Sequence, residues 1–164
     1  MGWLIWTQSA TRRLAARRAP IRGAKLAFRP GPAYRAAMQN ILLIGAGGAL
    51  GAVSRHLVGR TALRLLGGDQ PWGTLAVNVA GGLMMGLLIG FLVATERGDQ
   101  HAARMFAAVG FLGGFTTFSA FSLEMALMIE RKAWLNAFAY AAGSVVLSLG
   151  ALMIGMYLVR KAVS

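Results

Sequence analysis

Residues 72–94, WGTLAVNVAGGLMMGLLIGFLVA, run without a single charged side chain. That is long enough to cross the ~30 Å hydrocarbon core of a bilayer as a helix. Left in water, such a run would expose apolar surface at a cost of about 25 cal/mol per Å². Lipid is therefore the natural solvent for this chain. Three further apolar segments agree: residues 41–57, with an amphipathic continuation to residue 66, residues 102–129, and residues 134–159. At 57% hydrophobic, 13% charged and mean hydropathy +0.59, the 164-residue chain is too apolar for a soluble domain. The expected fold class is an all-α integral membrane protein with four transmembrane helices, multi-pass in the cell membrane.

The net charge of +12 invites a nucleic-acid partner, but its distribution argues against one. Eight basic residues precede Met38, and the remainder carries nine against five acidic residues, a balance of only +4. The basicity belongs to an appendage. Residues 1–37 read as a basic, disordered extension, and residues 38–164 as the membrane domain. MQNILLIGAGG from Met38 also reads as a natural N-terminus entering a membrane, which favours a start-site artefact for what precedes it. With no cysteine there is no disulfide or thiolate chemistry, and His56 and His101 have no ligand-like spacing. No nucleophile–base–acid set is visible, so the chain does not read as an enzyme.

The polar exceptions inside the apolar segments carry the functional argument. Residues 110–122, GFLGGFTTFSAFS, place three glycines, two threonines and two serines within the third segment. Gly113 and Gly114 let the backbone leave helical geometry cheaply. Non-helical backbone at membrane depth survives only where it is buried in protein or lines a polar cavity, and unwound carbonyls there coordinate cations. The expectation is a third helix broken mid-membrane around residues 113–116. The same small residues also suit a helix–helix contact. Phe118 and Phe121 follow on roughly one helix face. Asn78 interrupts the second segment, as an ion-pathway residue or as an interhelical hydrogen bond. Tyr140, Ser144 and Ser148 stack at i, i+4 and i+8 on the fourth segment, unless their hydroxyls bond back to their own helix. Gly45, Gly48 and Gly51 are spaced to admit another helix. Arg55 ends the first apolar run.

GFLGGFTTFSAFS closely resembles the signature of the CrcB/Fluc fluoride channels. GGxxGxxxR, formed by Gly47, Gly48, Gly51 and Arg55, resembles their first helix. NVAGG from Asn78 resembles their NxxG motif, and the Tyr140/Ser144/Ser148 stripe their fourth helix. The resemblance covers about residues 38–160. It implies a fluoride-selective channel that passively sheds toxic cytoplasmic fluoride. It also implies an antiparallel, dual-topology homodimer, with a structural sodium ion at the dimer centre held by Gly113 and Thr116 of both subunits. The fluoride pathway would comprise Asn78, Phe118, Phe121, Tyr140, Ser144 and Ser148, with Arg55 structural or at the pore mouth. Leu112 and Ala120 depart from the family, which often has Cys and Thr there.

The loop charges are compatible with dual topology. Counted from Met38, Arg97, Arg104, Arg160 and Lys161 lie on one side, and Arg55, Arg60, Arg64, Arg131 and Lys132 on the other. Four against five gives no bias to set orientation. The competing reading is a proton-coupled small exporter of the four-helix multidrug type. It needs a membrane-embedded carboxylate, and Glu124, near the end of the third segment, is the candidate.

Overall fold

The computed structural model describes residues 31–68, 70–95 and 100–163. The basic stretch up to residue 30, Asp69, and the charged residues Glu96, Arg97 and Asp99 lie outside the described residues. The elements are α1 (Pro32–Leu66), α2 (Trp72–Thr95), a short α3 (His101–Ala103) leading into a π-helical stretch (Arg104–Leu112), a single turn α4 (Gly113–Phe115), α5 (Phe118–Glu130) and α6 (Trp134–Val163). Four spans are long and apolar enough to cross a membrane: Pro32–Leu66, Trp72–Thr95, His101–Glu130 and Trp134–Val163. The chain is all-helical among the described residues, as lipid demands of backbone that must satisfy its own polar groups.

Local chemistry sets the ends. Pro32 opens α1, where its fixed φ suits the first helical turn and its missing N–H is no loss. Gly67 closes it at φ +79°, donating its N–H to the Leu63 carbonyl at 3.1 Å. α5 ends in a Schellman arrangement. Ala133 N donates to Met128 O at 2.9 Å and Lys132 N to Ile129 O at 2.9 Å, with Lys132 at φ 59°. A lysine in this left-handed position is less comfortable than the glycine usually found there.

α1 packs chiefly on the π-helical stretch and α4, and α2 chiefly on α6. Both contacts depend on absent side chains. A Cβ on Gly47 would meet the Phe106 carbonyl oxygen, and one on Gly51 the Phe111 carbonyl oxygen. From the facing strand of backbone, a Cβ on Gly114 would stand 2.5 Å from Gly48 O. In the second pair, Gly86 lies against the Leu152 carbonyl and Gly82 against that of Ser148, while Gly155 returns the contact at Leu83. Lipid supplies little hydrophobic drive between helices, so close backbone approach of this kind carries the association. The expected Gly45/Gly48/Gly51 face is corrected in part. Gly45 has nothing near it, because the i, i+4 pair Gly47/Gly51 is the one turned to the third segment.

The glycines expected to relax the third segment do something else. Gly113 and Gly114 are helical, and Gly114 serves the contact with α1. Extended backbone comes instead at Thr116 (φ −75°, ψ 157°) and Thr117 (φ −151°, ψ 123°), between α4 and α5. The π-helical stretch before them was not foreseen. There Gly113 N reaches back five residues to the Ala108 carbonyl.

Candidate functional site

Asn78 on α2 holds the extended residues in place. Its Nδ2 donates to the Thr117 carbonyl at 3.1 Å, and its Oδ1 accepts from Thr117 N at 2.9 Å. One side-chain amide thus satisfies both backbone groups of a residue outside any helix. Thr117 is buried, and its Oγ1 accepts from Ala120 N at 3.2 Å, capping α5. These bonds leave two carbonyls bare of their helical partners. In a continuous helix the amide of Thr117 would bond Gly113 O, and that of Ala120 would bond Thr116 O. Here both amides are spent on side chains. Thr116 keeps its own contact by donating Oγ1 to Leu112 O at 2.9 Å.

Beside this clamp lies a groove of about 460 Å³ between α2, α5 and α6. It gathers Asn78, Thr116, Phe118, Phe121, Ser144 and Ser148, and none of the described residues lining it is charged. The Phe118 and Phe121 rings sit 5.5 Å apart, tilted by 38°. Phe118 stands at the rim, 78% exposed. Among the described residues the buried hydroxyls of Ser144 and Ser148 make no hydrogen bond, although Tyr140 stands close to that of Ser144. Neither bonds back to its own helix. A buried hydroxyl without a partner is costly.

Three expected residues stand outside the groove. Tyr140 donates its O–H to Glu124 Oε2 at 2.7 Å, while Thr74 Oγ1 donates to Glu124 Oε1 at 2.6 Å. Its ring lies 5.3 Å from that of Phe121. Arg55 lines a smaller cavity of about 290 Å³ on the other side of Thr117, with His56, Thr74 and Ala120. Gly113 lines neither cavity. Sequence reasoning missed Thr117 and Thr74. Thr117 precedes α5 at a capping position, and Thr74 precedes Asn78 by four residues on one face of α2, but each also passes for an ordinary small polar residue.

The arrangement defines a class: a multi-pass helical membrane protein with a lateral groove of neutral hydrogen-bond donors and aromatic ring edges. Residues 42–156 match the family described as CrcB-like protein, Camphor Resistance (CrcB), and the chain belongs to that family. Among curated relatives, the "Fluoride-specific ion channel FluC" of Phenylobacterium zucineum (strain HLK1) is 56% identical over 124 residues, covering 76% of this chain and 98% of the relative. Proteins of the same name from Caulobacter sp. (strain K31) and Mesorhizobium japonicum are 52% and 50% identical over 124 residues, covering 76% of this chain and 97% and 98% of those relatives. The resemblance seen in the sequence thus holds at the level of the family. In bacteria a multi-pass helical protein of this family resides in the plasma membrane.

Proposed function

We propose that the protein is a fluoride-selective channel that lets cytoplasmic fluoride leave passively. The observation that carries this reading is the pair of buried, unpartnered hydroxyls, Ser144 and Ser148, facing a groove without charge. Hydroxyl and amide groups donate hydrogen bonds, and aromatic edges carry partial positive charge. Together they can replace the water around a small anion without the full cation that would hold it too tightly. The names of the relatives support the choice of fluoride.

The working unit in this reading is an antiparallel homodimer. The highly exposed Phe118 and the open side of the groove suit cover by a second copy, and the loop charges, balanced when counted from Met38, suit insertion in both orientations of a chain that starts there. The extended pair Thr116–Thr117 would then lie at mid-membrane. A structural sodium ion fits the same region. The Gly113 and Thr116 carbonyls, both deprived of helical amides, are the hard oxygen donors such an ion takes, and it would neutralise the oxygen dipoles gathered there.

The exporter reading is weaker on one count. Glu124, its candidate carboxylate, is tied to two hydroxyls and does not line the groove.

The test is fluoride efflux from liposomes containing the purified protein, read with a fluoride electrode, beside chloride-loaded liposomes and a Phe118→Ile variant. Fast fluoride release, little chloride release and a slower variant are expected. No release by well-folded protein in sodium buffer would reject the channel. Equal release after sodium is replaced by a bulky organic cation and the protein is exhaustively dialysed would reject the sodium site.

A further inference from the structure

A second cavity, of about 350 Å³, meets the groove at a single wall. Ser144 lines both, and no other described residue does. The far side of this cavity is formed by Gln70, Trp72, Asn136 and Tyr140. Asn136 precedes Tyr140 by four residues, so the stripe on α6 begins earlier than its hydroxyls suggest. Asn136, Tyr140, Ser144 and Ser148 follow one another in steps of four along one face. The Asn136 side chain makes no hydrogen bond among the described residues, and Tyr140 has committed its O–H to Glu124. Ser144, only 5% exposed, holds an unpartnered hydroxyl in the dividing wall.

We propose that this second cavity is the mouth through which a small hydrated anion reaches Ser144, with the Asn136 carboxamide as the first side chain to donate to it. The inference rests on the channel reading and adds to it a site and a residue. Three cavities lie at this end of the helices. One is lined by Glu124 and Arg131, an anion repeller and an anion trap, and another by Arg55. The third has no charged residue among the described residues that line it, and offers the neutral N–H donors of Asn136 and Gln70. Conduction needs a site that an ion enters readily and leaves readily. The uncharged cavity meets that condition. In this route Tyr140 acts as a wall, and the anion passes from carboxamide to Ser144 and then to Ser148 within the groove.

The absence of cysteine allows a direct test. Asn136→Cys introduces one thiol, to be modified in proteoliposomes with a negatively charged methanethiosulfonate. Leu135→Cys, at a neighbouring position 79% exposed and outside the cavity lining, is the control. Modification at position 136 is expected to cut fluoride efflux at least about fivefold, and at position 135 to leave it unchanged. Without any reagent, Asn136→Leu should slow efflux by about five- to tenfold, the worth of roughly one hydrogen bond, and Asn136→Gln should restore most of it. The inference is overturned if the position 136 thiol does not react. It is overturned equally if complete labelling, checked by mass spectrometry, leaves efflux intact in a conducting protein. Wild-type protein that releases no fluoride overturns the channel reading first, and this inference with it.

Discussion

Replacing Asn78 with leucine is the perturbation whose outcome the structure specifies most fully. Leucine matches asparagine in size but removes both bonds to Thr117, at 3.1 and 2.9 Å. Thr117 is 8% exposed, so water does not readily replace them. Each backbone group left bare costs about 1–3 kcal/mol, giving about 2–6 kcal/mol for the pair. Hydrogen bonds measured inside membrane proteins fall at the weak end, averaging about 0.6 kcal/mol, so a loss near 2 kcal/mol is the working figure. Asn78→Asp separates the two bonds. Its carboxylate still accepts from Thr117 N but sets a second oxygen against the Thr117 carbonyl, so it should be destabilised as well. The assay is an SDS titration of the purified protein in mild detergent, with Asn136→Leu as a control that breaks no bond. If Asn78→Leu unfolds at the wild-type midpoint, the clamp is not holding the extended residues and the reasoning fails.

Three other outcomes follow from particular contacts. Gly86→Ala would drive a methyl into the Leu152 carbonyl, whereas Gly150→Ala meets nothing within 4 Å. The first should lose about 1–3 kcal/mol through overpacking and the second should not, as the same titration would report. Thr117→Val removes the cap of α5 and should cost about 1 kcal/mol, while Thr117→Ser retains most of it. Comparing the two midpoints decides whether the hydroxyl matters. Lys132→Gly relieves a left-handed residue at φ 59° and should raise the midpoint by about 0.5–1 kcal/mol; an unchanged or lower midpoint would argue against strain there.

The four spans were legible because hydropathy and length define them almost alone. The second segment reads as 72–94 and spans Trp72–Thr95, and the third reads as 102–129 and spans His101–Glu130; the first, expected from residue 41, is helical from Pro32, so residues 32–37 are helix where a disordered extension is expected. The polar exceptions were legible too, since Asn78, Phe118, Phe121, Ser144 and Ser148 are conspicuous within apolar runs and do gather at one groove. What pairs with what was not. Glycines at 47, 51, 110 and 114 announce close packing, but nothing in their spacing names the partner helix. The π-helical stretch leaves no hydropathy mark, because a shift from four-residue to five-residue hydrogen bonding changes no side chain. Gly113 and Gly114 misled for a related reason. Glycine permits both a break and a tight contact, and Asn78, 35 residues before Gly113, is bonded to the backbone of Thr117, where the extended residues lie. Asn136 escaped notice since a polar residue near the start of a spanning helix usually faces the interface.

The most direct test of the account is the Ser144→Ala/Ser148→Ala double variant, measured for fluoride efflux and for its unfolding midpoint together. Among the described residues neither buried hydroxyl makes a hydrogen bond, so their removal should leave stability unchanged or slightly improved, while fluoride efflux falls at least about tenfold, as expected when two donors of roughly 1 kcal/mol each are lost. Wild-type efflux from a stable double variant would contradict the claim that these hydroxyls serve the anion.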